Sequence, residues 1–216
     1  MKKIKKEYYF IAVLLILFIV LTILVSVNKT MKLDESVFNR LITIKNKPTT
    51  ETLRVITHLA STIGTIVIGG ILGIVFLARK KLSDFKYVVI NVALGAGSMY
   101  VIKHIIKRIR PAWKWIAQDG FSYPSGHTIC SMLLYGTLIL LVAKRIKGKK
   151  KNILIALLSL MIVLTGVSRI YFGAHYLTDV VASLILGSII LIVSNMFMNK
   201  EFNIDKDKTN KAVQTK

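Results

Sequence analysis

Six apolar runs, each close to the length of a membrane-crossing helix, constrain this chain more than any other feature. They cover roughly residues 9–27, 57–78, 87–106, 127–143, 153–169 and 177–198. A spanning helix needs about 20 mostly apolar residues, because lipid offers no partner to backbone N–H and C=O groups. The first three runs and the last meet that length, and the fourth and fifth lie near its short limit. A hydrophobic content of 54% and a mean hydropathy of +0.60 over 216 residues fit a polytopic membrane protein and exclude an ordinary soluble domain. The expected fold is all-α, with six transmembrane helices forming one membrane domain over residues 1–199. The polar segment 200–216, which includes "DKDKTNKAVQTK", reads as a disordered tail. No internal repeat and no glycine-rich nucleotide loop is present.

The first run follows "MKKIKK", as a secretory signal would. Its length and the lack of a clear small-residue cleavage site favour a retained anchor. The formal net charge of +21 invites a nucleic-acid reading, but most lysines sit at the edges of the apolar runs. There they orient the chain and meet anionic lipid head groups. "MKKIKK", "RKKLSDFK", "KRIKGKKK" and the tail fall on one side, which the positive-inside rule makes cytoplasmic, termini included. Segments 28–56, 107–126 and 170–176 then face outward.

In segment 28–56, Leu33, Val37, Leu41 and Ile44 recur near helical spacing. This predicts either a short interfacial helix or a solvated loop. Gly69 and Gly73, four residues apart, suit close helix packing, inside the bundle in preference to a dimer face. The single Cys130 excludes an intramolecular disulfide and reads as a small core residue.

Three polar clusters interrupt the apolar chain, all at outer helix ends. The first is "KHIIKRIRP". Lys103 and Arg110 are seven residues apart, two helical turns, so a continuous helix points both the same way. Pro111 ends the helix or turns the chain. Loop 107–126 also carries Lys107, Arg108 and Lys114, cations that oppose the topological bias and need another reason to be there. The second cluster is "YPSGHT". Ser125 is a good N-cap, Gly126 leaves its amide open, and the first amides of the next helix favour an anion beside His127. The third is "SRIYFGAHYLTD", where Arg169 precedes His175 and Asp179. The last two, four residues apart, share a helix face, so the carboxylate fixes the imidazole tautomer and leaves the other ring nitrogen free to attack. Three cations, a helix N-terminus and two histidines suit a phosphoryl group, one histidine attacking and the other protonating the leaving oxygen.

These segments match K-x6-RP, PSGH and SR-x5-H-x3-D at every fixed position, and the chain resembles the type 2 phosphatidic acid phosphatase (PAP2) superfamily. The resemblance implies a helical core like that shared with the haloperoxidases. It implies His175 as a nucleophile that becomes phosphohistidine, Asp179 as its orienting carboxylate, and His127 as general acid and then base. Lys103, Arg110, Ser125, Gly126 and Arg169 would hold the phosphate oxygens. No metal and no cofactor is implied, and zinc on His104, His127 and His175 is disfavoured because His104 points to another helix face from Lys103. His58 reads as an interfacial residue, not a ligand.

Within the superfamily the segments look most like bacterial membrane phosphatases of the phosphatidylglycerophosphate phosphatase B-like and undecaprenyl pyrophosphate phosphatase-like kinds. Many of these have Pro where this chain has Leu177. The implied partner is a lipid phosphate (undecaprenyl diphosphate, phosphatidylglycerophosphate or phosphatidate) in the plasma membrane, with catalysis at its outer face and no nucleic acid involved. Two other activities share the pocket: a lipid phosphotransferase, whose phosphohistidine serves an acceptor other than water, and a vanadate-dependent oxidoreductase. A scaffold that retains the fold without catalysis is a further alternative.

Overall fold

The computed structural model describes residues 6–214 and is helical throughout, with eight helices and no strand among the described residues. They are α1 (Lys6–Ser26), α2 (Met31–Ile42), α3 (Lys47–Leu59), α4 (Thr62–Ala78), α5 (Leu82–Ile106), α6 (Gly126–Arg145), α7 (Lys149–Tyr171) and α8 (Leu177–Gln214). Five of them are long and apolar enough to cross a membrane: α1, α5, α6, α7 and the Leu177–Met198 part of α8. The fourth and fifth runs become helices of 20 and 23 residues, because polar residues at their ends continue the helical backbone.

The second apolar run departs from the expected single helix. It is broken at Ala60–Ser61, where Ser61 caps α4 by accepting from the Gly64 amide at 3.0 Å. Helix α3 and the 17-residue α4 meet at a bend of 55°, and only taken together do they have the length and apolarity of a sixth span. At about 1.5 Å per residue, α4 alone falls short of a 30 Å hydrocarbon core. At the other end of the chain, α8 runs to Gln214 where disorder was expected from residue 200. No Gly or Pro follows Gly187 to stop it.

Helix α6 is the centre of the bundle, packed by α5, α7 and α8, while α1 lies along α8. Lipid tails are as apolar as the side chains they cover, so close contact between helices does the work of cohesion. Gly95 of α5 receives Leu133 of α6, and Gly136 of α6 receives Leu191 of α8; a Cβ on either would sit within 2.5 Å of the leucine. A buried Asn91–Thr137 hydrogen bond of 2.9 Å ties α5 to α6. At the end opposite the polar clusters, Arg145 bonds Asp84 at 2.6 Å. Gly73 packs closely on Phe85 of α5, as small-residue packing predicts, but Gly69 faces open space. Cys130 is half-buried against the α5–α6–α8 core.

The segment before α3 forms a helix, and the residues it buries against the protein are not those of the apolar stripe. Leu33 and Ile44 are exposed, whereas Thr30, Asp34 and Phe38 are buried. Phe38 stacks on Trp113 at 5.3 Å between centroids. Helix α2 is held to the 107–125 loop by Phe38 and Asp34 and to α8 by Asp34, contacts that the periodicity of apolar residues does not register.

Candidate active site

The three polar clusters meet at one end of the bundle. Helix α7 ends at Tyr171, and the turn 172–176 carries His175 before α8 begins. That turn requires Gly173, whose φ is +63° and whose absent Cβ would lie 2.9 Å from the Lys114 Cα. His175 Nδ1 faces Asp179 Oδ2 at 3.4 Å, and both side chains are buried. Asp179 is fully engaged: Oδ1 accepts from Arg108 at 2.6 Å, and Oδ2 accepts from the Tyr176 amide at 3.0 Å and from the Ser122 hydroxyl. Asp179 Oδ2 and Ser122 Oγ, both 3.4 Å from Nδ1, are placed to accept a hydrogen bond from an Nδ1–H, the tautomer that leaves Nε2 with its lone pair. Nε2 lies 3.1 Å from Arg110 Nη1. Burial pushes the His175 pKa down to about 3, with Asp179 pulling the other way, so the imidazole is neutral near pH 7.

Lys103 and Arg110 converge, though not along one helix. Lys107 adopts a left-handed conformation with φ of 50° and ends α5 four residues before Pro111. The helical alignment of the two side chains is thereby lost. The loop restores it: Lys103 Nζ donates to the Phe121 carbonyl, while Arg110 donates to the carbonyls of Asp119 and Gly120 at 2.9–3.1 Å. Arg110 also donates to the Ala174 carbonyl at 2.7 Å, bridging the first cluster to the third.

Ser125 occupies the N-cap position of α6, but its side chain does not cap the helix. Its Oγ accepts from Thr128 at 2.9 Å. The first amides of α6 thus lack that side-chain partner, the arrangement an anion uses. Gly126 sits close to Met99, whose Sδ would be 2.8 Å from a Cβ there. Arg169 is only 2% exposed. It donates from Nη1 to Thr57 of α3 at 2.9 Å and from Nη2 to Gln118 at 2.7 Å, and its Nε has no partner among the described residues. A cavity of about 600 Å³ opens beside it, with His127, Arg169, Gln118 and the α3 residues Arg54, Thr57 and His58 in its wall. His104 lies apart from these groups: it is exposed, and its Nδ1 bonds the Tyr100 carbonyl at 2.8 Å.

One buried cation had no role assigned from the sequence. Arg108, only 8% exposed, reaches Asp179 with Nη1 and Asp34 of α2 with Nη2 at 2.8 Å, and stacks on Tyr176 at 3.8 Å. Asp34 also accepts from the Thr178 amide and hydroxyl, both at 2.9 Å. Burial opposes the charge of Arg108, but Asp179 and Asp34 outweigh it and hold the pKa above the usual guanidinium value. The available signal was its position as a cation in an outward loop. Nothing in the sequence paired it with Asp34, 74 residues away.

An all-helical membrane bundle with Lys103, Arg110, Arg169, His127 and His175 brought to one end is the class of protein these features define. The family model described as PAP2 superfamily matches residues 85–203, more than half the chain. The protein belongs to the PAP2 superfamily. It is 25% identical over 190 residues to phosphatidylglycerophosphatase B of Bacillus subtilis (strain 168), covering 87% of this chain and 94% of that one. The crystal structure of the first transmembrane PAP2 type phosphatidylglycerolphosphate phosphatase from Bacillus subtilis superposes with a TM-score of 0.81 at 25% identity, covering 88% of this chain and 96% of that one. The crystal structure of Aquifex aeolicus LpxE shares the fold with a TM-score of 0.63 at 20% identity, over 76% of this chain and 95% of that one.

Proposed function

We propose that this protein hydrolyses the phosphate ester or diphosphate of a membrane lipid through a phosphohistidine on His175. The observation that carries the reading is the setting of His175: Nδ1 turned to the carboxylate of Asp179, and Nε2 3.1 Å from Arg110 Nη1, which can only donate to it. Nε2 attacks phosphorus while the bond to the leaving oxygen breaks, and His127 gives that oxygen its proton. His127 then takes a proton from water, which attacks the phosphohistidine and releases inorganic phosphate. Lys103, Arg110 and Arg169, with Ser125 and the first amides of α6 at Gly126, offset the charge on the equatorial oxygens. For that, Arg110 exchanges its contact with Nε2 for one with phosphate.

The site faces outward. The opposite end carries Arg79, Lys80 and Lys81 between α4 and α5, Lys147 between α6 and α7, and Lys149, Lys150 and Lys151 at the start of α7, which supports a cytoplasmic assignment for that end. The substrate is phosphatidylglycerophosphate, undecaprenyl diphosphate or phosphatidate, with the tails remaining at bilayer level. The name of the Bacillus relative supports the first. The test is phosphate release by the purified protein in detergent with EDTA, comparing the three lipids and a His175→Ala control. Release that survives EDTA and vanishes in the control supports the reading. Release in the control refutes it, and release only when an alcohol acceptor is added makes the protein a transferase.

A further inference from the structure

The cavity beside Arg169 touches His127 but not His175. On the mechanism above, attack and departure are in line, so the leaving group lies on the side of the general acid and away from the nucleophile. The chemical lining of this cavity therefore says what kind of leaving group it takes. Its wall on α3 presents Arg54 and, one helical turn on, His58, followed by Ser61 at the α3–α4 break. No carboxylate is among its lining residues. Arg54 pairs with Glu51 at 3.7 Å, and the two side chains are 52% and 58% exposed. So loose and solvated a pair is given up at little cost. Ile63, Trp115 and Phe172 supply an apolar wall beside these groups. A neutral diacylglycerol leaving group has no use for a guanidinium and a ring N–H at this place, whereas a leaving group with its own phosphate does.

We infer that Arg54 and His58 form a subsite for a second phosphate carried by the leaving group. The preferred substrates are then lipids with two anionic phosphoryl groups, either a diphosphate or a terminal phosphate joined through glycerol to a phosphodiester. From the first the bridging P–O bond breaks and a lipid monophosphate leaves, protonated by His127. From the second the glycerol oxygen leaves with that proton and the phosphodiester remains on the lipid. In both, phosphorus passes to His175 and then to water.

This inference rests on the phosphatase reading and is tested so that the two fail separately. Wild-type protein, Arg54→Gln, His58→Gln and the double variant are assayed with phosphatidylglycerophosphate, farnesyl diphosphate and phosphatidate. A lost charge-assisted contact costs about tenfold or more. The expected result is that loss in kcat/KM, mainly through KM, for one or both of the two-phosphate lipids, with phosphatidate turnover changed less than twofold. Loss for one alone names which source of the second phosphate the subsite reads. Equal loss on all three lipids, or none on any, overturns the subsite and leaves the phosphatase reading intact. Absence of wild-type turnover on every lipid overturns both.

Discussion

Arg108 Nη1 lies 2.6 Å from Oδ1 of Asp179, in a pair almost wholly withdrawn from solvent. The same guanidinium reaches Asp34 on helix α2. The carboxylate that orients His175 is thus fixed from two directions, by its own turn through the Tyr176 amide and by a cation anchored to a separate helix. Removing Arg108 strands two buried carboxylates, which costs about 3–5 kcal/mol when a buried pair is broken. Arg108→Met is expected to lower thermal stability and to reduce kcat about a hundredfold, the effect of a displacement of roughly 1 Å. Arg108→Lys restores charge without the two-pronged geometry, so it should recover melting temperature more than kcat. KM is expected to stay within about threefold in both. Full activity in Arg108→Met contradicts a positioning role.

The titration of His175 predicts a pH dependence of stability. Its pKa falls from 6.5 to about 3 on burial, so between those values the unfolded chain binds a proton that the native site refuses. Native stability from this group is complete above pH 6.5 and is lost as pH falls toward 3. His175→Asn removes the titration, and the decline in melting temperature between pH 6.5 and 4 should become shallower. An unchanged slope contradicts a neutral buried imidazole.

Gly173 gives a third test. A side chain there meets both a left-handed φ and the Lys114 backbone. Gly173→Ala is expected to cost about 1–3 kcal/mol and to displace the turn that presents His175. Activity should fall by an order of magnitude or more with the protein still folded, as read by melting temperature and kcat together. Wild-type kcat shows that the turn tolerates the change.

The candidate site residues that lie close together in sequence were legible there as local clusters. His175 and Asp179 are four apart, and "PSGH" announces a helix start, so local geometry carries the information. What was not legible depends on packing. Asp34 looked like one acid in a charged segment, and the apolar spacing of Leu33 and Val37 carried no sign of the face of α2 that packs on the protein. Thr57 and Gln118, which hold Arg169, lie 112 and 51 residues from it. The span pattern was legible because lipid imposes a length on every crossing. The break at Ala60–Ser61 was not, since a serine cap inside an apolar run looks like any tolerated small polar residue.

The central claim is that phosphorus passes through Nε2 of His175. The most direct test is to quench the enzyme in alkali, which preserves phosphohistidine, during turnover of a labelled lipid phosphate, and to map the label by peptide mass spectrometry. The account predicts a phosphoryl group on His175, more of it in His127→Ala if water activation is slowed more than transfer, and none in His175→Ala. Label on another residue, or phosphate release that persists in His175→Ala, contradicts it.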